Sequence, residues 1–308
     1  MPRLIAKRLA AGVLTLWVAS VLIFLAMNVL PGNAATAALG RQVTPQAQQE
    51  LSRELGLNQP VLTRYGHWAW GVLQGHLGKS VVNSVPVTTL IGEPLVHTGI
   101  LLLVTLILLV PLALLLGIGG ALARRGGIDA AVQAVMLIFA AVPEFVVGTV
   151  LILLFSILWP VLPSVALSVS PGTLALPVVT LLLVSLGYLA RMVRAGVRDV
   201  LDSPHVAMAR LKGLPERTII RRHVLPNCLG PSAQALAATI AWLAGGIVIV
   251  EELFAYPGIG QALVDAVQSR DAPTVEALTL LIAAVYIVGN LAADIVSILS
   301  TPRLRSRL

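Results

Sequence analysis

Long stretches without a charged side chain set the limits on how this sequence can fold. No Asp, Glu, Lys or Arg occurs between Arg8 and Arg41, between Glu93 and Arg124, or between Glu144 and Arg191. A helix over residues 9–30 is about 33 Å long, enough to cross the hydrocarbon core of a bilayer. Only 11% of the residues are charged, against about 25% in soluble domains. The chain is therefore predicted to be an integral membrane protein.

The apolar stretches predict an all-α protein with six transmembrane spans. Their expected ranges are roughly 9–30, 98–123, 130–159, 174–197, 232–250 and 275–300. The first stretch could instead be a cleavable signal peptide, because an Ala-rich segment follows it. Signal peptides have apolar cores of only about 7–15 residues, so we expect an uncleaved span. Pro111 is expected to kink the second span, and Pro143 with Glu144 to interrupt the third.

The distribution of cations predicts the orientation of the spans. Sixteen of the 21 Lys and Arg residues lie in the N-terminal segment, the turn at 124–129, the region 191–222 and the C-terminal tail, and five lie in the opposite connections. By the positive-inside rule, both termini are expected in the cytoplasm and the number of spans is expected to be even. Topology thus explains the net charge of +7 better than nucleic-acid binding does.

A polar and aromatic connection, residues 31–97, is expected outside the cytoplasm after the first span. Its segment 44–56 has the caps of a soluble helix. The triplet Gly78-Lys79-Ser80 is not read as a phosphate loop, because position 73, where a Walker A motif needs glycine, is Leu73, and no strand precedes it. We predict no nucleotide site and no bound cofactor on this chain.

Enzyme chemistry finds little support in the sequence. No GxSxG or HExxH motif occurs, and the five histidines have no metal-ligand spacing. The single cysteine, Cys228, excludes an internal disulfide and is expected to be a small buried apolar residue. The chain is therefore predicted to have no catalytic residues and no metal site.

The most cationic region, 191–222, lies between two apolar stretches and holds eight Lys and Arg residues against three acids. The pair Ser203–Pro204 is typical of a helix start, because Ser caps free N–H groups and proline has none to satisfy. We predict a short helix over 204–212, ended by Gly213 in the left-handed conformation. A second helix is expected to begin at 215–216.

The spacing in 203–226 resembles the EAA loop of permeases of ATP-binding-cassette (ABC) importers, whose short coupling helix docks on a separate ATPase subunit. The family pattern is Glu-Ala-Ala, three residues, Gly, nine residues and Ile-x-Leu-Pro. Aligned on Gly213, its third position falls on Ala209 and its final Leu-Pro on Leu225–Pro226. Ala207, Met208 and His223 replace Glu, Ala and Ile. The segment AMARLKGL, residues 207–214, is close to the TARAKGL type of the peptide importers.

The resemblance implies which residues of the coupling loop, 198–230, contact the ATPase. They are Ser203, Pro204, Ala207, Ala209, Arg210, Lys212, Gly213, Leu225 and Pro226. The missing Glu at position 207 removes one contact that other members make, while the rest of the loop keeps the family pattern.

The connection after the fifth span, which begins EELFAYPGIG, is also similar to the peptide-importer consensus. In the family this loop lies outside the cytoplasm near the solute-binding protein. The resemblance implies a binding-protein-facing loop made by Glu251, Glu252, Phe254, Tyr256, Pro257, Gly258 and Gly260. The two glycines are expected to permit backbone turns that other residues resist. A re-entrant turn at the membrane surface is the alternative.

Ionisable or amide groups at membrane depth are candidates for function, because leaving them unpaired there is costly. The candidates in or near the spans are Glu144, Arg191, Asn290 and Asp294. Arg191 is expected at the cytoplasmic mouth, Glu144 at a helix break, and Asp294 either in a structural pair or on the solute pathway. No chain of such groups crosses the membrane.

The resemblance covers residues 3–303 and identifies the chain as a relative of the B-type permease of dipeptide and oligopeptide importers. It implies a six-span permease in the cytoplasmic membrane of a prokaryote. The expected partners are a homologous second permease, two cytoplasmic ATPases that bind ATP and Mg²⁺, an extracytoplasmic solute-binding protein and the lipid bilayer. Nickel, glutathione or another peptide-sized solute is the alternative cargo. An ion-coupled secondary transporter, which would need paired broken helices, is the rival class.

Overall fold

The computed structural model describes residues 2–29, 59–123 and 127–300. These residues form helices and no named strand. The α-helices are α1 (Pro2–Val29), α2 (Val61–Leu73), α3 (Val87–Leu122), α4 (Gly127–Ala141), α5 (Glu144–Ile152), α6 (Pro171–Leu201), α7 (Pro204–Leu211), α8 (Glu216–Ile219), α9 (Leu225–Leu253), α10 (Ile259–Gln268) and α11 (Ala272–Ser300). The helix expected at 44–56, the Arg-rich turn at 124–126 and the tail from 301 lie outside the described residues.

Five helical stretches in the described residues are long and apolar enough to cross a membrane: Ala6–Met27, Val87–Leu122, Pro171–Leu201, Glu216–Leu253 and Ala272–Ile295. Two of them begin well before the expected positions 98 and 232. The second span begins at Val87. The fifth is one continuous helical stretch from Glu216, which Pro226 and Pro231 do not break. The outer connection before α3 is correspondingly shorter than expected.

The third span is broken where the sequence predicted an interruption. Helical residues Ala130–Ala141 and Glu144–Leu158 meet at 104°. Pro143 takes an extended conformation (φ −59°, ψ 146°) and directly precedes α5, since proline offers no N–H to continue α4. By contrast, α3 runs through Pro94 and Pro111 as one helix. The two halves of the third span are therefore separate rods.

Helix α6 lies at the centre of the bundle and packs against α3, α4, α5 and α9. Glycines allow its closest contacts. A Cβ at Gly187 would lie 2.2 Å from the Met136 carbonyl oxygen of α4, and a Cβ at Gly117 of α3 would lie 2.7 Å from Val193. Such spacing is closer than a Cβ permits, so the backbone of α6 contacts the backbone of α4 at Gly187, and the backbone of α3 contacts a side chain of α6 at Gly117.

The first and last helices, α1 and α11, pack against each other at the side of the bundle. Arg8 Nη1 lies 2.9 Å from Asp294 Oδ2, joining the start of α1 to the end of α11. The two helices therefore run antiparallel, and the start of α1 and the end of α11 lie on the same side of the bundle. That arrangement requires an even number of crossings between them.

Candidate functional site

The short helix α7 forms where the sequence predicted it and ends one residue earlier, at Leu211. Gly213 has φ +75°. Its N–H donates to the Arg210 carbonyl (2.9 Å), and the Leu214 N–H donates to the Ala209 carbonyl (3.3 Å). This pair of bonds is the Schellman arrangement, which satisfies the last carbonyls of a helix and favours glycine in the left-handed position.

Ser203 stands at the start of α7 but does not cap it with its side chain. Its hydroxyl instead donates back to the Val200 carbonyl, and no side-chain cap bond is present. The predicted side-chain cap is therefore wrong. The hydroxyl bonds the last turn of α6, so Ser203 fixes the angle between α6 and α7.

One face of α7 is anchored in the protein and the other is open. Val206 is fully buried and Ala209 is nearly so. On the opposite side Met208, Leu211 and Leu214 are exposed, with Leu211 82% exposed. These three residues follow a spacing of three and form an apolar stripe. Of the residues predicted to couple to an ATPase, Ala207, Arg210 and Lys212 are also exposed.

An ion pair bridges the turn after α7. Arg210 Nε donates to Glu216 Oε1 at 2.7 Å, and both side chains are about half exposed. This hydrogen bond raises the pKa of the Arg210 guanidinium further above its ordinary value. The pair links α7 to α8 across Gly213.

Leu225 and Pro226 begin α9 after a π-helical segment, Ile220–Val224. The Asn227 side-chain amide donates to the His223 carbonyl (2.6 Å), satisfying a backbone group near the proline. The predicted coupling residues thus divide between α7 and the start of a membrane-spanning helix, with a π segment between them. Single π turns inside helices often occur at functional positions.

The loop predicted to lie outside the cytoplasm, residues 251–274 and called the outer loop below, is organised around the buried carboxylate of Glu251. Thr98 Oγ1 of α3 donates to Glu251 Oε1 (2.6 Å), and the Gly260 N–H donates to Oε2 (2.6 Å). The Ile259 N–H donates in turn to Thr98 Oγ1 (2.9 Å). Glu251 is fully buried, so these bonds take the place of water around it.

Two further bonds join the same loop to His97, the residue before Thr98. The Tyr256 hydroxyl donates to the His97 carbonyl (2.7 Å), and His97 Nδ1 lies 2.9 Å from the Pro257 carbonyl oxygen, so Nδ1 is the donor. Burial, reinforced by the charge of Glu251, raises the pKa of Tyr256 to about 12. Tyr256 therefore remains a hydrogen-bond donor at neutral pH.

The glycines of this loop are required for a different reason from the one predicted. Gly258 has φ −102°, which any residue can adopt. A Cβ on Gly258 would lie 2.1 Å from Glu251 Oε1, and one on Gly260 would lie 2.5 Å from the Val248 Cα. The left-handed residues of the loop are Ala255, with φ 47°, and Arg270, with φ 57°. Close approach to the carboxylate, not backbone freedom, explains the two glycines.

Most of the residues predicted to face a binding protein point into the protein itself. Phe254, Tyr256 and Glu251 are buried, and Glu252 is the exposed acid of the pair. The Phe254 carbonyl accepts from the Ala166 N–H (2.7 Å), which ties the loop to the connection after the third span. These side chains hold the loop in shape, and a surface for a partner remains at Glu252 and at the exposed end of α10.

The triplet 78–80 lies at a junction with the start of α11. Ser80 Oγ donates to Asp271 Oδ2 (2.5 Å), and the Val81 N–H donates to Oδ1 (3.1 Å). Thr274 Oγ1 donates to the same Oδ2 (2.7 Å). Ser80 and Asp271 are buried, so this serine joins two connections on one side of the bundle.

Three of the four predicted membrane candidates have partners within the chain. Asp294 pairs with Arg8, which favours the structural alternative for Asp294. The Asn290 amide donates to the Tyr286 carbonyl (3.0 Å), and Arg191 Nε donates to the Gly187 carbonyl (2.9 Å). These four groups are not brought together into one site.

Glu144 is the fourth candidate and lies at the break of the third span, in the first turn of α5. Its Oε1 lies 2.8 Å from where a Cβ on Gly246 of α9 would be. Among the described residues no Lys, Arg or His lies within ion-pair distance of it. The N-terminal amides of a helix stabilise an anion by about 0.3–1 kcal/mol, less than the roughly 2.5–3.5 kcal/mol that a charged group costs at the centre of a membrane helix.

Sequence reasoning missed two features of the acidic residues. Glu251 was expected in an exposed loop but is fully buried. Glu276, in the first turns of α11, is 6% exposed, with Arg64 of α2 as the nearby opposite charge. The signal for Glu276 was its position: the next charged residue is Asp294, so Glu276 belongs to the apolar stretch and not to the loop before it.

Together these features define a class of protein: a multi-span helical membrane protein in which a short helix, exposed to solvent along one face, connects two spans. Family models agree with that class. Residues 110–306 match the inner membrane component of binding-protein-dependent transport systems, and residues 1–92 match the N-terminal membrane component of the same systems. The chain belongs to this family of ABC-importer permeases, and it is a multi-pass inner-membrane protein and not an enzyme.

Relatives cover nearly the whole chain. A Brucella abortus protein named for a peptide transport system permease is 32% identical over 99% of both chains. The metal-staphylopine import system permease of Staphylococcus aureus is 30% identical over 99% of both. The glutathione transport system permease of Pectobacterium atrosepticum is 32% identical over 97% of both.

Proposed function

We propose that this chain is one permease subunit of an ATP-driven importer that carries dipeptides and oligopeptides across the cytoplasmic membrane. It would form the pore with a homologous second permease and receive solute from an extracytoplasmic binding protein. Two cytoplasmic ATPases would bind the ATP and Mg²⁺, because the chain has no nucleotide-binding motif of its own. Both termini would lie in the cytoplasm, as the cation distribution indicates.

The observation that carries this proposal is the form of α7. A helix of eight residues is too short to be stable alone, yet α7 presents the apolar side chains of Met208 and Leu211 to solvent, and Leu214 is exposed just beyond its end. Such a stripe, flanked by Arg210 and Lys212, suits a groove on a partner that recognises an amphipathic helix. The anchors Val206 and Ala209 join this helix to the bundle, so displacement of α7 is transmitted to α6.

The mechanism follows from that connection. Closure of the two ATPases on ATP would move α7 as a lever, and the pore would change from inward-facing to outward-facing. Solute released by the binding protein could then enter. The ion pair between Arg210 and Glu216 would make α7 move together with α8, which begins the helical stretch that continues into α9.

The cargo is proposed from the relatives and not from a site on this chain. Peptides are favoured because the Brucella relative is named for peptide transport. Glutathione and a metal chelate are the alternatives, since two other relatives are named for these. Uptake of a labelled tripeptide and of labelled glutathione by the reconstituted complex, with and without ATP, decides between them.

The coupling role is tested by Gly213→Val in the complete transporter reconstituted in vesicles. A β-branched residue at φ +75° is strained by about 1–3 kcal/mol, so the end of α7 is displaced. We expect ATP hydrolysis to continue while uptake falls. The matched control is Gly119→Val, a helical glycine with open space around it. Full coupling in Gly213→Val would contradict the proposal.

A further inference from the structure

We propose that the Glu144 carboxylate contacts the side-chain ammonium of a lysine-containing peptide as that peptide crosses the membrane. The proposal rests on the proposed function, because it requires that this chain lines a pore. It assigns a specificity role to one side chain of the permease, in addition to the selection made by a binding protein.

The position of Glu144 places its carboxylate inside the membrane. It stands between two half-spans of 12 and 15 residues that meet at 104°. Its neighbour Gly246 lies seven residues before the end of α9, about 10 Å along the helix axis. Broken helices at this depth are tolerated where they are buried in protein or line a water-filled cavity.

The surroundings of the carboxylate show no group that fixes it. No cation of the described residues pairs with Glu144, and no hydrogen bond to its side chain is present among them. The three other membrane-depth candidates are each engaged within the chain. Glu144 therefore has acceptor capacity that the described part of its own chain does not use.

The surface beside Glu144 is not covered by residues 2–29, 59–123 or 127–300. Glu144 itself is partly exposed, and Gly245, next to its contact Gly246, is exposed with open space where a Cβ would stand. Trp242 and Ile249 extend the same exposed face of α9. Lipid tails offer a carboxylate no hydrogen bonds, so the face at Glu144 is one that water and polar solute reach.

The chemistry selects a cation as the ligand. An anionic carboxylate in low dielectric attracts an ammonium strongly and repels a carboxylate. The Glu144 carboxylate lies over Gly246, and the open space at the adjacent Gly245 leaves room beside it for a small group. Peptides carry an ammonium at the N-terminus and on lysine side chains, and we expect the latter to be the discriminating group.

The test uses the complete transporter in vesicles, with the binding protein saturated by one of three labelled tripeptides: Ala-Lys-Ala, Ala-Ala-Ala or Ala-Glu-Ala. The quantity compared is the ratio of the uptake rate of Ala-Lys-Ala to that of Ala-Glu-Ala. Glu144→Gln is expected to lower this ratio about tenfold relative to wild type, the effect of one lost charge-assisted hydrogen bond. Glu144→Asp, which keeps the charge, is expected to retain most of the preference. Because each peptide is compared with itself in wild type, the preferences of the binding protein cancel.

The matched control is Glu93→Gln, the same exchange at an acid that is 81% exposed near the start of α3; we expect wild-type ratios. Equal uptake ratios in Glu144→Gln and wild type, or an equal loss for all three peptides, would overturn the role of Glu144. Loss of the second permease from purified Glu144→Gln would also overturn it, because the carboxylate would then bind a fixed cation of that subunit. Failure of wild type to import any of the three with ATP would instead contradict the proposed peptide function.

Discussion

The two segments that resemble the peptide importers most closely are built in opposite ways. Helix α7, the proposed coupling helix, is anchored in the bundle by Val206 and Ala209 and exposes most of its other side chains. The outer loop turns Glu251, Phe254 and Tyr256 inward around one carboxylate. A similar motif in one segment therefore preserves a surface, and in the other it preserves an internal hydrogen-bond network.

The difference teaches where a substitution acts. On α7 an exposed side chain contributes little to the folded chain, so its loss should be felt by a partner. In the outer loop each group completes the hydrogen bonding of another, so its loss should lower the stability of the folded subunit. Four predictions test this contrast, in order of their expected effect on the stability of the purified subunit.

The largest effect is expected for Glu251→Ala. It leaves the Thr98 hydroxyl and the Gly260 N–H without their acceptor, and each buried unsatisfied group costs about 1–3 kcal/mol. We expect a loss of about 2–5 kcal/mol, seen as a lower midpoint of thermal unfolding in detergent. The exposed neighbour is the control: Glu252→Ala should change stability by less than about 0.5 kcal/mol. Equal effects of the two would refute the internal role of Glu251.

The second effect concerns the space around the network. Gly260→Ala would place a Cβ 2.5 Å from the Val248 Cα, and overpacking of this kind costs about 1–3 kcal/mol. Gly245→Ala, with open space around it, serves as the comparison and should leave the thermal midpoint unchanged. An unaltered midpoint in Gly260→Ala would show that the loop yields more easily than its packing indicates.

A smaller effect is expected at the turn after α7. Arg210→Ala removes the exposed ion pair with Glu216, and such pairs contribute about 0–1 kcal/mol. Thermal unfolding at low and at high salt should show a small loss that salt diminishes. A loss above 2 kcal/mol would mean that the coupling loop depends on this pair as strongly as the outer loop depends on Glu251.

The smallest effect on stability is expected for Leu211→Ser, because this side chain is 82% exposed. The thermal midpoint should stay within error, while co-purification of the ATPase subunits should fall. Val206→Ser is the opposite case, with a buried side chain, and should lower the midpoint. Normal ATPase recovery with Leu211→Ser would remove the apolar stripe from the proposed docking surface.

Local signals allowed much of the fold to be predicted from the sequence. Charge-free stretches located the spans, Pro143 located the break, and Gly213 located the end of α7, because each acts within a few residues of itself. Span limits were less accurate: helical stretches continue through Pro94 and Pro226 although each proline lacks the N–H of an internal helix hydrogen bond, so a proline in the sequence did not mark where a span begins.

The candidate sites were harder to predict because their partners are distant in sequence. Thr98 is separated from Glu251 by 153 positions, and no local pattern joins them. The same holds for Asp294, whose partner Arg8 lies at the other end of the chain. A single sequence shows which residues are unusual at membrane depth, but the folded chain decides which of them is already paired.

The ion pair between Arg8 and Asp294 has a consequence for biosynthesis. Its members belong to the first and last helices, so the ribosome completes nearly the entire polypeptide before the acid reaches the cation. Until then Arg8 waits at the edge of the bilayer without its counter-ion. A subunit whose translation stops before Asp294 therefore lacks this link between its first and last helices.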